Sequence, residues 1–292
     1  MMSPTEHKTP DKTGEALKAQ RFTMLEDIAK ELAGEVIFPT CFDIILRLRK
    51  LLNDPDASMA SIAAGVSVEP LISAKLLQLA NSAAFNAEGN RVTDLKTAIT
   101  RLGLNAVRTA AMTIVMTQML RAKGMSGFSE LTRTLWEHTV RTAAAARIIA
   151  GSVPRMNPEE AMLAGLVHDL GAFYMLYRAT QYDELRDRPD TIKYLMVQWH
   201  ESIGVSLLNA LGVPEVIVEA TVDHDHLRPL PNPVRSLGDV LYIANMLSGG
   251  HFEWLMQDQG SGQDTLIPLE QKYAHLLPDI EALTNEMLGS FG

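Results

Sequence analysis

Six side chains in the second half of this chain are of the types that hold transition metals: His138, His168, Asp169, His200, His224 and Asp239. Imidazole and carboxylate donors suit Zn, Fe, Ni or Mn, and donors gathered from several helices of a bundle make a familiar metal centre. Taken singly, each histidine on an apolar face reads as a hydrogen-bonded core residue. Taken together they would bury many polar atoms in need of other partners, which favours a shared divalent ion. His226 is an alternative to His224, since two residues apart on a helix they cannot share a face.

Five helical patterns must position these groups. His138 continues the series Leu131, Leu135, His138, Thr142, Ala145 at spacings of three and four, so it points inward. His200 lies with Met196, Ile203 and Leu207, and His224 with Ile217, Ala220 and Thr221 on a run that starts at Pro214. From Pro158 the spacing predicts one helix through the His168-Asp169 pair. Met162, Leu163, Leu166, Val167, Leu170, Phe173 and Tyr174 crowd one side of it, and His168 sits opposite among Ala164, Gly165, Gly171 and Ala172. That small-residue surround admits either a close helix or a ligand. Asp239 falls in the pattern from Ser236 to Leu247, among Val240, Leu241 and Ala244.

Nearly every apolar stretch repeats at helical spacing and period-2 alternation is scarce, so the expected class is all-α. Breaks fall at Asn53-Asp54-Pro55, Val68-Glu69-Pro70, Asn86 to Thr93, Gly124 to Ser129, Pro154 to Pro158, Asp187 to Asp190, Gly212 to Pro214 and Arg228 to Pro233. Pro70, Pro158 and Pro214 each precede an apolar run, where proline suits the first helical turn. Lys123 to Ser129 is expected to separate two packed lobes, and the charged run Asp183 to Asp190 to form an exposed loop. Residues 1–34 are read as a tail and a leading helix, and residues 250–292 as a docked helical extension.

With 292 residues and 47% hydrophobic content the chain can bury a large core. The single cysteine, Cys41, rules out an intramolecular disulfide and reads as a small core residue. Met1 to Gln20 has no apolar signal-peptide core, and stretches such as Ala110 to Val115 fall far short of the ~20 residues a bilayer requires, so a cytoplasmic protein with no membrane partner is expected. A net charge of -9 argues against broad attraction to phosphate backbones.

The order His138, His168-Asp169, His200, His224, Asp239 is similar to the ligand order of the HD metal-dependent phosphohydrolases, and Glu160 to Gly171 looks like their central helix. Upstream, Phe38-Pro39-Thr40, Leu51 to Ser58, Ser73 to Phe85 and Ala98 to Gly103 resemble the N-terminal lobe of the HDOD family, as does Gly204 to Pro214 in the second half. The resemblance spans roughly Glu35 to Gly249, with lobes at 35–123 and 129–249. It implies a multi-helix, two-lobe bundle that serves as an output module in bacterial signalling and commonly acts by binding. Where active HD-GYP relatives carry a lysine after the HD pair this chain has Ala172, and no GYP motif is evident, which weakens the case for transition-state charge neutralisation.

Three functions follow in decreasing order of support. The first is a regulatory module that binds a signalling protein partner or a small nucleotide ligand, with a retained metal site. The second is a metal-dependent phosphohydrolase or phosphodiesterase, in which His200 and His224 extend the site to a second ion. The third is DNA binding through Ser58 to Ala80, which resembles a helix-turn-helix with Gly65 at the turn. Its second helix offers only Ser73, Lys75 and Gln78 as readers, so nucleic acid is not the expected partner. Arg101 and Arg108 read as solvated or paired, and Met112, Met116 and Met119 as core.

Overall fold

The computed structural model describes residues 23–30, 32, 43–83, 85–86, 89–186, 188–249 and 269–291. The expected N-terminal tail, Phe38 to Cys41 and Gln257 to Gln263 lie outside the described residues. Every regular element among the described residues is helical, as the apolar spacing requires. No described helix is long and apolar enough to cross a membrane.

The first lobe is built from α1 (23–30), α2 (Asp43–Leu52), α3 (Met59–Ser67), α4 (Pro70–Ala80), α5 (Leu95–Leu102) and α6 (Leu104–Leu120). Local chemistry sets the helix starts: Ser58 Oγ accepts from the Ser61 amide, Pro70 occupies the first turn of α4, and Asp94 accepts from the Thr97 amide. The α3–α4 pair turns Ile62, Val66, Ile72, Leu76 and Leu79 into the core, so packing accounts for its helix-turn-helix look. Arg101 is spent on the Ala80 and Asn90 carbonyls and on Asn86 Oδ1, which hold the 81–93 turn.

The second lobe follows a short 3-10 turn, Met125–Phe128. It comprises α7 (Ser129–Ser152), α8 (Pro158–Val167), α9 (Leu170–Ala179), α10 (Asp183–Arg186), α11 (Pro189–Ala210), α12 (Glu215–Thr221) and α13 (Leu237–Leu247). Two short readings are corrected here. Asp183 to Asp190 is not one loop, because α10 forms within it and Pro189 starts α11; and Pro214 is the N-cap of α12, one place before its first turn.

The lobes meet along α6, which packs on α8 and α9 and whose small and thioether side chains (Ala106, Ala110, Met112, Met116, Met119) are buried. Polar groups clasp the seam: Arg49 Nη1 donates to Ala210 O at 2.6 Å and Asn53 Nδ2 to Gly212 O at 3.0 Å. Gly212 is required there twice over, by its φ of 70° and because a Cβ would come within 2.6 Å of Arg49 Cδ. Arg108 Nη2 donates to Leu52 O at 2.9 Å, so its cation sits at the C-terminal end of α2, where the helix dipole favours it. After α14 (269–273), the last described helix, α15 (Leu277–Phe291), packs mainly on α7 and buries Ile280, Leu283 and Met287.

Candidate metal centre

Close helix approaches bring the site together. A Cβ on Gly165 would lie 2.6 Å from Ala143 Cα, so glycine lets α8 press against α7, the helix that carries His138. A Cβ on Gly171 would collide with His200 O and lie 2.6 Å from Gly204 N, so α9 and α11 touch backbone to backbone. The small residues around His168 therefore serve both expected purposes, close helices and a polar cluster.

Two departures from regular helix aim the remaining groups. The single helix expected from Pro158 through Tyr174 is interrupted: α8 stops at Val167, and α9 resumes at Leu170 after the His168-Asp169 turn. The helix expected to carry His224 ends at Thr221. Val222 is extended with ψ of 136°, and Asp223 adopts φ of 57°, a left-handed conformation that aspartate tolerates better than most residues. The turn delivers His224 and Asp225 to the cluster side by side.

Four imidazoles and two carboxylates converge: His138, His168, Asp169, His200, His224 and Asp225, each 9% exposed or less. All four Nδ1 atoms face backbone carbonyls: His138 that of Ser248 (3.1 Å), His168 that of Gly165 (2.8 Å), His200 that of Met196 (2.7 Å) and His224 that of Thr221 (2.7 Å). A carbonyl only accepts, so each Nδ1 carries a proton and each Nε2 turns inward. The inward atoms pair closely, at 3.2 Å between His138 and His168 and 3.4 Å between His200 and His224. Two such nitrogen lone pairs repel unless a proton or a cation lies between them.

Asp169 divides the cluster into halves. Its Oδ2 lies 3.1 Å from His168 Nε2 and 3.7 Å from His138 Nε2, while its Oδ1 lies 3.4 Å from His224 Nε2 and 3.6 Å from His200 Nε2. Asp225 Oδ2 joins only the second half, 3.2 Å from His200 Nε2 and 3.7 Å from His224 Nε2. The first half thus offers His138, His168 and one oxygen of Asp169; the second offers His200, His224, the other oxygen of Asp169, and Asp225.

Electrostatics follow this division. Burial pushes the His138 imidazole down against the pull of Asp169. Burial also opposes charge on His200 and His224, but Asp225 and Asp169 outweigh it, raising the first and carrying the second up to about 10. Burial likewise opposes ionisation of both carboxylates, and facing imidazoles hold each below the usual range: His168, His224 and His200 for Asp169, His224 and His200 for Asp225. A proton or a metal would compete for the same inward lone pairs.

Five of the six expected residues are brought together, and Asp239 is not among them. Its Oδ2 accepts from the Arg235 and Ser236 amides (3.0 and 3.2 Å) in a capping box that starts α13, and its Oδ1 lies 3.5 Å from Arg228 Nη2. Asp239 is a helix-start residue, and Asp225 stands in the cluster instead. His226 is largely exposed and pairs with Asp223 and Glu201. The only hint of Asp225 in the sequence was its place between His224 and His226.

The donor set fits a divalent transition metal: imidazoles oriented through Nδ1–H to carbonyls are the usual outer support of metal-bound histidine, and each half places at least three donor atoms within 4.8 Å of one another. Residues 38–227, which take in the whole six-residue cluster and exclude Asp239, match the HDOD domain family. This chain belongs to the HDOD family. Solved structures with the same fold include a proposed metal-dependent phosphohydrolase from Shewanella amazonensis SB2B. It is 21% identical, covers 94% of this chain and 100% of that one, and has a TM-score of 0.68. An HDOD domain protein of unknown function from Geobacter sulfurreducens is 19% identical, covers 92% and 99%, and has a TM-score of 0.54. A proposed signal transduction protein from Marinobacter aquaeolei VT8 is 19% identical, covers 92% and 66%, and has a TM-score of 0.52. An uncharacterized protein of Treponema pallidum (strain Nichols) is 24% identical over 216 residues, 69% of this HDOD chain, which spans only 40% of that relative.

Proposed function

We propose that this HDOD chain is a regulatory output module that acts by binding a signalling protein partner or a small nucleotide ligand, and that its second lobe encloses a divalent-metal centre whose two halves are lined by His138, His168, Asp169, His200, His224 and Asp225. The observation that carries this reading is enclosure: the most exposed of the six side chains is Asp225, at 9%. A catalytic centre keeps a position open to substrate, whereas a structural or sensing centre is closed by its own ligands. Ala172, buried beside the cluster, supplies no ammonium to a phosphate.

The metal would supply positive charge that offsets two buried carboxylates and ties α7, the α8–α9 junction, α11 and the turn after α12 into one unit. The protein's own part is to orient the imidazoles through backbone carbonyls and to exclude water.

One observation favours a phosphohydrolase instead: the two halves share Asp169, a layout suited to the two-ion clamp of phosphate chemistry. Metal analysis of the purified chain beside His168→Ala and Asp169→Ala, with a phosphodiesterase assay in Mn, Fe, Ni and Zn, separates the readings. Bound metal lost in both variants, with no turnover, is the result expected here. Turnover that disappears with His168 or Asp169 would make the chain a hydrolase, and a metal-free chain would leave the binding module without its centre.

A further inference from the structure

Among the described residues, Asn245 is the one fully buried side-chain amide, and it touches the cluster. It lies on α13. Its Nδ2 donates to Asp225 Oδ1 at 2.9 Å and to the His224 carbonyl at 3.3 Å. Both partners are acceptors, so the amide orientation is set: a flipped side chain would turn an oxygen against two oxygens. Its own oxygen is buried without a hydrogen-bond partner, a cost the fold accepts to keep the nitrogen where it is.

The two contacts act on one segment. Asp223 holds a left-handed backbone just before His224, so the turn depends on tertiary partners to keep its shape. Asn245 grips that turn at the His224 carbonyl and at the outer oxygen of Asp225. Asp225 Oδ2 is thereby left to face His200 and His224. As a neutral donor, Asn245 favours the ionised form of Asp225 without adding charge to the pocket.

We infer that Asn245 is a positioning residue that locks Asp225 into the His200–His224 half of the cluster and so makes the two halves unequal. That half is completed by four protein donors, and the His138–His168 half has three. This inference rests on the metal reading above and adds to it an order of filling: a divalent ion enters the His200–His224–Asp225 half first, and a second binds more weakly beside His138 and His168.

Cobalt(II) serves as the probe, titrated into metal-stripped full-length protein and followed by its visible absorption, with thermal melts of the stripped forms as a folding control. Asn245→Ala and Asn245→Asp are each placed in a His138→Ala background, which leaves the second half, and in a His200→Ala background, which leaves the first. The expected result is a loss of about 10–100-fold in cobalt affinity in the His138→Ala background and little change in the other, as for removal of an outer-shell partner. Equal losses in both backgrounds would mean general destabilisation and overturn the inference, as would no loss in either. Wild-type protein that binds no cobalt at all would overturn the metal reading and this inference with it.

Discussion

The two lobes bury different things. In the first, the described core is aliphatic, with Ile62, Val66, Ile72, Leu76, Ile99 and Leu102 at 3% exposure or less, and its buried polar groups are only Thr109 and Thr113 on α6. Its arginines work at the edges, on carbonyls at helix ends and turns. In the second lobe the buried set includes His138, His168, Asp169, Arg178, His200, His224, Asp225 and Asn245. A lobe that needed only stability would not retain ionisable groups at its centre, because apolar packing of equal volume is often as stable or more so. The buried polar groups of the described residues are thus concentrated in the second lobe.

This contrast can be broken in order of expected effect. Gly171→Ala should do most, because the added carbon meets the His200 backbone: destabilisation at or above the top of the ~1–3 kcal/mol typical of overpacking, with loss of metal, read from thermal melts and metal analysis. If that variant melts like wild type, the tight α9–α11 contact is not what assembles the cluster. Leu76→Ala, in the first lobe, should cost about 2–5 kcal/mol in a denaturant titration yet leave metal affinity unchanged below the transition. A matching loss of metal would show that the lobes do not divide the labour.

Removal of metal comes next. Chelation should speed amide exchange in α7, α9, α11 and α13 and spare α3 to α5, with a stabilisation from bound ion of about 4 kcal/mol at a thousandfold excess over Kd. Uniform change across both lobes would count against a centre confined to the second. Asp239→Ala should retain full metal content while losing about 1 kcal/mol from the capping box of α13, whereas Asp225→Ala should lose metal. Metal analysis of the pair tests the exchange of one aspartate for the other.

The smallest effect concerns Glu159, at the rim of the second lobe. Burial raises its carboxyl above the ordinary value of 4.5 despite the 3.0 Å bond from Arg147 Nε. A raised folded value means the folded state prefers the protonated form. That contribution is fully present below the ordinary value and is lost as pH rises through the folded one. The difference in melting temperature between wild type and Glu159→Gln should therefore change across that window and be flat outside it; a difference independent of pH would remove Glu159 from the account.

Much of this was legible beforehand, for identifiable reasons. The three- and four-residue spacing around His138 and His200 described helices that run well past those residues, so their inward faces could be extrapolated. The His168-Asp169 pair was legible as a pair, though the break in the helix was not. His224 was placed inward by a periodicity that does not extend to it, since α12 ends at Thr221. Asp239 was chosen because it falls among apolar neighbours on a helical pattern, yet at the third position of α13 its carboxylate is drawn to the two amides that open the helix.

The sequence by itself determined the helical class, the helix starts at Pro70 and Pro158, and the apolar faces that turn His138 and His200 inward. These depend on hydrogen bonds and spacing within a few residues of chain. Which carboxylate completes the cluster was decided only by tertiary structure. Asp225 faces His200 because the turn that follows left-handed Asp223 is gripped by Asn245, 20 residues beyond Asp225, and no local pattern encodes a bond across that distance.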